Sequence, residues 1–193
     1  VRQLVPISTA NELGTWYGSL KSYKHAERTL RSLLGTILMD FLTLHLPEIT
    51  RLLGGPPDLL VPTPSTRGVL PDVQPLLEVA SLAVAAGGRL PRVQPALEHT
   101  GIAKKRQEYQ PSLFRPRHTA ELTGARVIVL DDSWASGSAT VSAAGAVVSA
   151  GAVSALPLAF ARLFNEPYWS QFESGRAYAR AMGEPWTVSN WPL

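Results

Sequence analysis

Apolar positions along the 193-residue chain switch between helical and strand-like spacing, and the order of those switches outlines a layered domain. Leu30, Leu33, Leu34, Ile37, Leu38, Phe41 and Leu42 recur at helical spacing, which predicts an amphipathic helix from about His25 to Leu46, stopped near Pro47. Before it, TWYGSLKSY (Thr15 to Tyr23) is aromatic and β-branched enough to predict a strand or hairpin, with Lys21 and Lys24 at its end. Asp58 to Val61 reads as a short buried strand, broken at once by PTPSTRG. Leu76, Leu77, Ala80, Ala83 and Val84 share one helical face and predict a helix from about Asp72 to Ala86, ended by Gly87 and Gly88. A short strand is expected around Arg92 to Leu97. Lys104 to His118 is basic and without period, which reads as a mobile loop. Val127 to Leu130 predicts a strand, Ser138 to Ala150 a helix of small residues, and Val153 to Phe160 a further strand.

This alternation predicts an α/β fold with a mainly parallel central sheet flanked by helices. The tail from Arg162 to Leu193 holds three of the five tryptophans and several glycines and prolines, and reads as an irregular cap. The expected organisation is a single domain over 1–193, with a core at about 25–161 and a small hood or cap from about 1–24 and 162–193.

Composition narrows the picture. Hydrophobic content of 45% with 17% charged residues fits a globular chain, and a formal charge of +3 argues against a broad nucleic-acid surface. The absence of cysteine excludes disulfides and thiolate metal sites. Leu30 to Leu53 is apolar but carries Arg31, Asp40, His45, Pro47, Glu48 and Arg51, so it is expected to be a helix of a soluble protein and not a membrane span. The start at Val1, with no charged and apolar leader, is read as a trimmed or processed start in a cytoplasmic protein.

The candidate chemistry lies in VIVLDDSWASGSAT, residues 127–140. Ligands of open parallel sheets bind beyond the carboxyl ends of the strands, where Asp131 and Asp132 are expected. Adjacent residues of a strand face opposite sides, so one acid can face a ligand while the other meets neighbouring backbone, solvent or a metal shell. The small-residue loop behind them lets backbone N–H groups converge on an anion at the start of the next helix, with hydroxyls from Ser136, Ser138 and Thr140 to assist. A ribose 5-phosphate would satisfy both halves: hydroxyls or a cation for the carboxylates, and phosphate for the loop.

The same stretch resembles the phosphoribosyl pyrophosphate (PRPP) signature of type I phosphoribosyltransferases, in which an aliphatic run, two acids, two variable residues and a small hydroxylated loop follow in that order. The resemblance extends to ComF-like members, in particular the actinobacterial ones. GSLKSYK is similar to their lysine-bearing strand near the N-terminus, LLVPTPSTRG to their pyrophosphate-side loop, and VQPALEHTGIAKKRQEYQPSLFRPRH to the glutamine- and arginine-containing loop that precedes the signature. The zinc-ribbon cysteines of many ComF-like proteins are missing, so no zinc is implied.

The resemblance implies transfer of phosphoribose from PRPP to an unidentified small-molecule acceptor, with Mg²⁺ as cofactor and release of pyrophosphate. Asp131 and Asp132 would hold the ribose hydroxyls, or Mg²⁺ through water or ribose, and Ala135, Ser136, Gly137, Ser138, Ala139 and Thr140 would bind the 5-phosphate. Thr66, Arg67, Gly68 and Lys21 would meet pyrophosphate. Lys104, Lys105 and Arg106, flanked by Arg115 and Arg117, would form the catalytic loop. Ser133 and Trp134 would border the acceptor, Trp134 either as a pocket wall or as a core residue. Ala135 stands where purine-using relatives often carry aspartate, which weakens the case for a purine acceptor. The alternative implied is a non-catalytic PRPP- or nucleotide-sensing protein, or a competence protein of DNA uptake, on the same scaffold. No membrane or nucleic-acid partner is expected, and a homodimer is left open.

Overall fold

The computed structural model describes residues 5–11, 15–25, 28–65, 74–87, 90–105 and 108–164. They form an α/β domain around a five-stranded sheet in which every neighbouring pair is parallel. The strands are β1 (Val5–Asn11), β2 (Leu59–Pro62), β3 (Arg92–Val93), β6 (Arg126–Trp134) and β7 (Ser154–Phe164), in the order β1-β7-β6-β2-β3. Between β3 and β6 the chain forms an antiparallel hairpin of β4 (Leu97–His99) and β5 (Phe114–Pro116), then the short helix α4 (Thr119–Leu122).

The period of two in the central strands explains the two layers of core. Ile128 and Leu130 of β6 face the same side as Leu60, Leu156, Leu158 and Phe160, packed with α2 (Arg28–Leu53) and α3 (Pro75–Ala86). Val127 and Val129 face the other side, with Leu59, Val61, the β4–β5 hairpin and α5 (Ser138–Ser149). Because parallel strands are covered on both faces, β6 reads as an unbroken apolar run.

Several boundaries differ from the sequence expectation. Thr15–Ser22 is the helix α1, not a strand. Its aromatic residues favour β structure in isolation, but Trp16, Leu20 and Tyr23 stand at i, i+4 and i+7 and pack together against the core. Helix α2 runs through Pro47 to Leu53. Proline inside a helix costs about 3 kcal/mol, and here Ile49 and Leu53, both buried, continue the apolar stripe beyond it. By length and composition α2 could cross a membrane, yet Leu34, Leu38, Phe41 and Leu42 are buried against this domain. Residues 5–11, expected in the hood, are an edge strand of the central sheet, where Ser8 Oγ donates to the Phe160 carbonyl at 2.7 Å.

The strand expected at Arg92 to Leu97 divides between β3 in the main sheet and β4 in the hairpin. The stretch expected as an aperiodic loop from Lys104 to His118 contains a 3₁₀ turn at Pro111–Leu113 and β5, with Leu113 and Phe114 buried. Residues 165–193, including Trp186 and Trp191 of the expected cap, lie outside the described residues.

Candidate functional site

The pleat of β6 separates the two acids. Asp131 falls on the α5 side: its Oδ2 accepts from Thr140 Oγ1 at 2.6 Å and its Oδ1 from the Asp132 amide at 2.9 Å. Asp132 falls on the opposite side, where its Oδ2 meets Lys24 Nζ at 2.5 Å and accepts from the Tyr23 hydroxyl at 3.2 Å. Ser133 Oγ donates to Asp132 Oδ1 at 2.8 Å. Both carboxylates therefore stand at the carboxyl end of a central strand, braced from different layers.

Burial, and then the neighbouring Asp132 charge, push the Asp131 carboxyl up to about 6, while the Thr140 hydrogen bond works against them. The Tyr23 hydroxyl is driven well above its ordinary range, chiefly by burial and next by the Asp132 charge. It stays protonated and acts as a fixed donor to Asp132.

After Trp134 the chain turns through Ala135 and Ser136, both exposed, into Gly137, whose φ of 73° lies in the left-handed region that glycine tolerates. Gly137 occupies the N-cap of α5 without a side-chain cap. Ser136 and Ser138 hydroxyls pair at 3.0 Å, and the Ser138 amide reaches Ser136 Oγ only at 3.4 Å. The first turn of α5 thus presents backbone donors and the positive end of its dipole beside two carboxylates. The Thr140 hydroxyl, expected to assist the loop, donates its proton to Asp131 in this arrangement and braces the acid.

The remaining expected residues are dispersed. Thr66, Arg67, Gly68 and Arg106 lie outside the described residues. Lys21 is exposed and sits 4.2 Å from the centroid of the Tyr17 ring, and it is Lys24 that reaches the acid pair. Lys104 and Lys105 are exposed in the hairpin loop, where Lys105 pairs with Glu108 at 3.3 Å and its amide donates to Gln110 Oε1 at 2.8 Å. Arg115 and Arg117 both pair with Glu98, whose carboxyl they hold below its usual range, Arg117 most strongly. Trp134 belongs to neither buried core: it is half-buried at the strand end with the Arg162 guanidinium 4.4 Å from its ring centroid.

Sequence reasoning missed Tyr23 and Lys24 as site residues, although SYK lay in view, because the contact requires α1 to be a helix. Thr63 opens the stretch Thr63 to Gly68 that the resemblance gives as the pyrophosphate-side loop. Its amide donates to the Leu130 carbonyl at 2.7 Å, and its buried hydroxyl has no partner among the described residues. It follows the β2–β6 register by one residue and so stands beside Asp131, a polar group at the same sheet edge.

A metal held by the chain alone is not built here: among the described residues no group of three or more His, Asp or Glu side chains converges. The two carboxylates, all of whose oxygens already accept a protein donor, fit a Mg²⁺ that keeps most of its shell as water and ligand oxygen. An open cleft of about 380 Å³ at the opposite, amino-terminal edge of the sheet is lined by Asp58, Arg92, Glu121 and Thr123. Its charges are satisfied internally: Arg92 pairs with Glu121 at 2.6 Å and Asp58 Oδ2 accepts the Arg126 amide at 2.8 Å. No protein-family model matches the chain, and no curated protein matches it.

Proposed function

We propose that the chain is a phosphoribosyltransferase of the type I class, which binds PRPP across the carboxyl end of β6 and transfers its phosphoribose to a small-molecule acceptor with release of pyrophosphate. One observation carries this reading: two carboxylates on opposite faces of a central strand end stand directly before a helix whose capping residue is a left-handed glycine. Carboxylates accept hydrogen bonds from vicinal sugar hydroxyls, and an uncapped helix N-terminus favours phosphate. A ligand carrying both groups matches the pair better than a free phosphate, which the acids would repel. The Thr63 hydroxyl at the same edge, without a partner among the described residues, supports the reading as a further donor to a phosphate oxygen.

In the reaction the bond from ribose C1 to the pyrophosphate oxygen breaks and a bond to the acceptor nucleophile forms with inversion, the acceptor losing a proton. Asp131 and Asp132 orient the ribose and, as anions, favour the positive charge that develops at C1. The amides of the first turn of α5 hold the 5-phosphate. Lys104 and Lys105, carried on the hairpin loop, offset negative charge on the leaving pyrophosphate. Asp131 and Asp132 would hold a Mg²⁺ through water or the ribose hydroxyls, and the ion would supply positive charge to offset the negative charge of the leaving pyrophosphate. Trp134 at the strand end borders the acceptor and favours a flat one by stacking.

A ligand-sensing role on the same site is favoured by the pairing of Lys105 with Glu108, which removes part of the charge the loop would bring. Pyrophosphate release from PRPP and Mg²⁺ in the presence of nucleobase and other flat acceptors separates the two. Release that depends on acceptor and disappears in Asp131→Asn supports the transferase. PRPP binding without release from any acceptor favours sensing.

A further inference from the structure

We propose that Lys24 is a built-in counter-ion that keeps free metal cations off the Asp131–Asp132 pair until an anionic ligand draws its ammonium away. Lys24 is held unevenly. Its backbone is fixed: Arg31 of α2 donates to the Tyr23 carbonyl at 3.1 Å and to the Lys24 carbonyl at 3.3 Å, and Arg31 is itself anchored to Glu78 of α3 at 2.5 Å. Its side chain, by contrast, is 34% exposed and ends on Asp132 Oδ2, whose own side chain is only 14% exposed. A hydrogen-bonded base therefore carries a partly exposed ammonium onto a largely buried carboxylate.

The placement has a direct electrostatic consequence. A divalent cation on Asp132 would lie within a few ångströms of Nζ, and two positive charges at such a distance repel strongly where solvent is partly excluded. Tyr23 and Lys24 already share Oδ2, so a cation on that oxygen must displace a donor, and a cation on Oδ1, which accepts from Ser133, still lies beside the Lys24 ammonium. A cation that arrives with phosphate oxygens brings an acceptor for the released ammonium, which a bare cation does not. The site is thus set to take metal and anion together. That the anion is a pyrophosphate rests on the function proposed above; the exclusion of free cations does not.

Terbium(III) is the probe, because its emission is sensitised by nearby aromatic rings and Tyr23 and Trp134 flank the pair. Titration of the unliganded protein should give weak, non-saturating emission for the wild type and for Lys24→Arg. Lys24→Met should bind at least about tenfold more tightly, and Lys24→Met/Asp132→Asn should return to the wild-type curve. Lys24→Gln, which keeps a polar group against Asp132, serves in the same way if the methionine variant does not fold by circular dichroism. Tight terbium binding by the wild type, or a Lys24→Met or Lys24→Gln curve at or below wild-type affinity, overturns the proposal. Thermal stabilisation of the wild type by PRPP with Mg²⁺ is scored separately: its failure alone sinks the transferase reading and leaves the counter-ion standing.

Discussion

Replacing Gly145 by alanine should destabilise the protein, although helix propensity alone says the opposite. Gly145 lies in the middle of α5, where glycine costs about 1 kcal/mol relative to alanine. An added Cβ would stand 2.2 Å from the Tyr109 hydroxyl oxygen and 2.8 Å from the ring carbon that bears it. Tyr109 is 60% exposed, so the ring can swing outward, but its neighbour cannot follow without loss: the Gln110 amide donates to Ser142 Oγ at 2.8 Å. Losing that hydrogen bond costs about 1 kcal/mol, and unseating the covered part of the ring costs about another 1 kcal/mol. Set against the propensity gain, Gly145→Ala should be about 1 kcal/mol less stable than wild type. In a Tyr109→Ala background the obstacle is gone, and the same change should stabilise by about 1 kcal/mol. Urea unfolding of the four proteins gives the coupling, expected near 2 kcal/mol. If Gly145→Ala stabilises equally in both backgrounds, Tyr109 does not seat on α5.

Two further predictions concern the acid pair and its loop. The folded state holds the Asp131 proton up to about pH 6, against an ordinary value of 3.8, so this group favours folding at low pH and that contribution is lost as pH rises through 6. Unliganded wild type should therefore lose up to about 3 kcal/mol relative to Asp131→Asn between pH 4 and 7, and parallel stability curves for the two proteins would show that the carboxyl is not desolvated. Gly137→Ala forces a side chain into the left-handed region at φ 73° and should cost about 1 kcal/mol of stability, while abolishing stabilisation by PRPP; retention of that stabilisation would show that the loop does not hold the phosphate.

The sheet's centre was legible from sequence because buried parallel strands write long aliphatic runs, as Val127 to Leu130 does, and because small residues let α5 lie close against them. The separation of Asp131 from Asp132 was also legible, since it needs only the two-residue period. Strand β1 was not: VPISTAN mixes apolar and polar residues in a way that suits an edge as well as a loop, and its parallel partner β7 lies about 150 residues further on. The choice between Lys21 and Lys24 turned on whether Thr15 to Ser22 is a strand or a helix, which the packing of Trp16, Leu20 and Tyr23 decides and local propensity does not. Gly145 gave no sign of its purpose, because the ring it accommodates comes from a separate part of the chain.

The most direct test of the central claim is thermal unfolding with PRPP and Mg²⁺, compared between wild type and the Asp131→Asn/Asp132→Asn protein. A ligand that binds only the native state at a hundred times its dissociation constant adds about 2.7 kcal/mol. The Tm of the wild type should rise only when PRPP and Mg²⁺ are both present, and that of the double variant should not change. A wild type that does not respond, or a double variant that responds to the same extent, would contradict the claim.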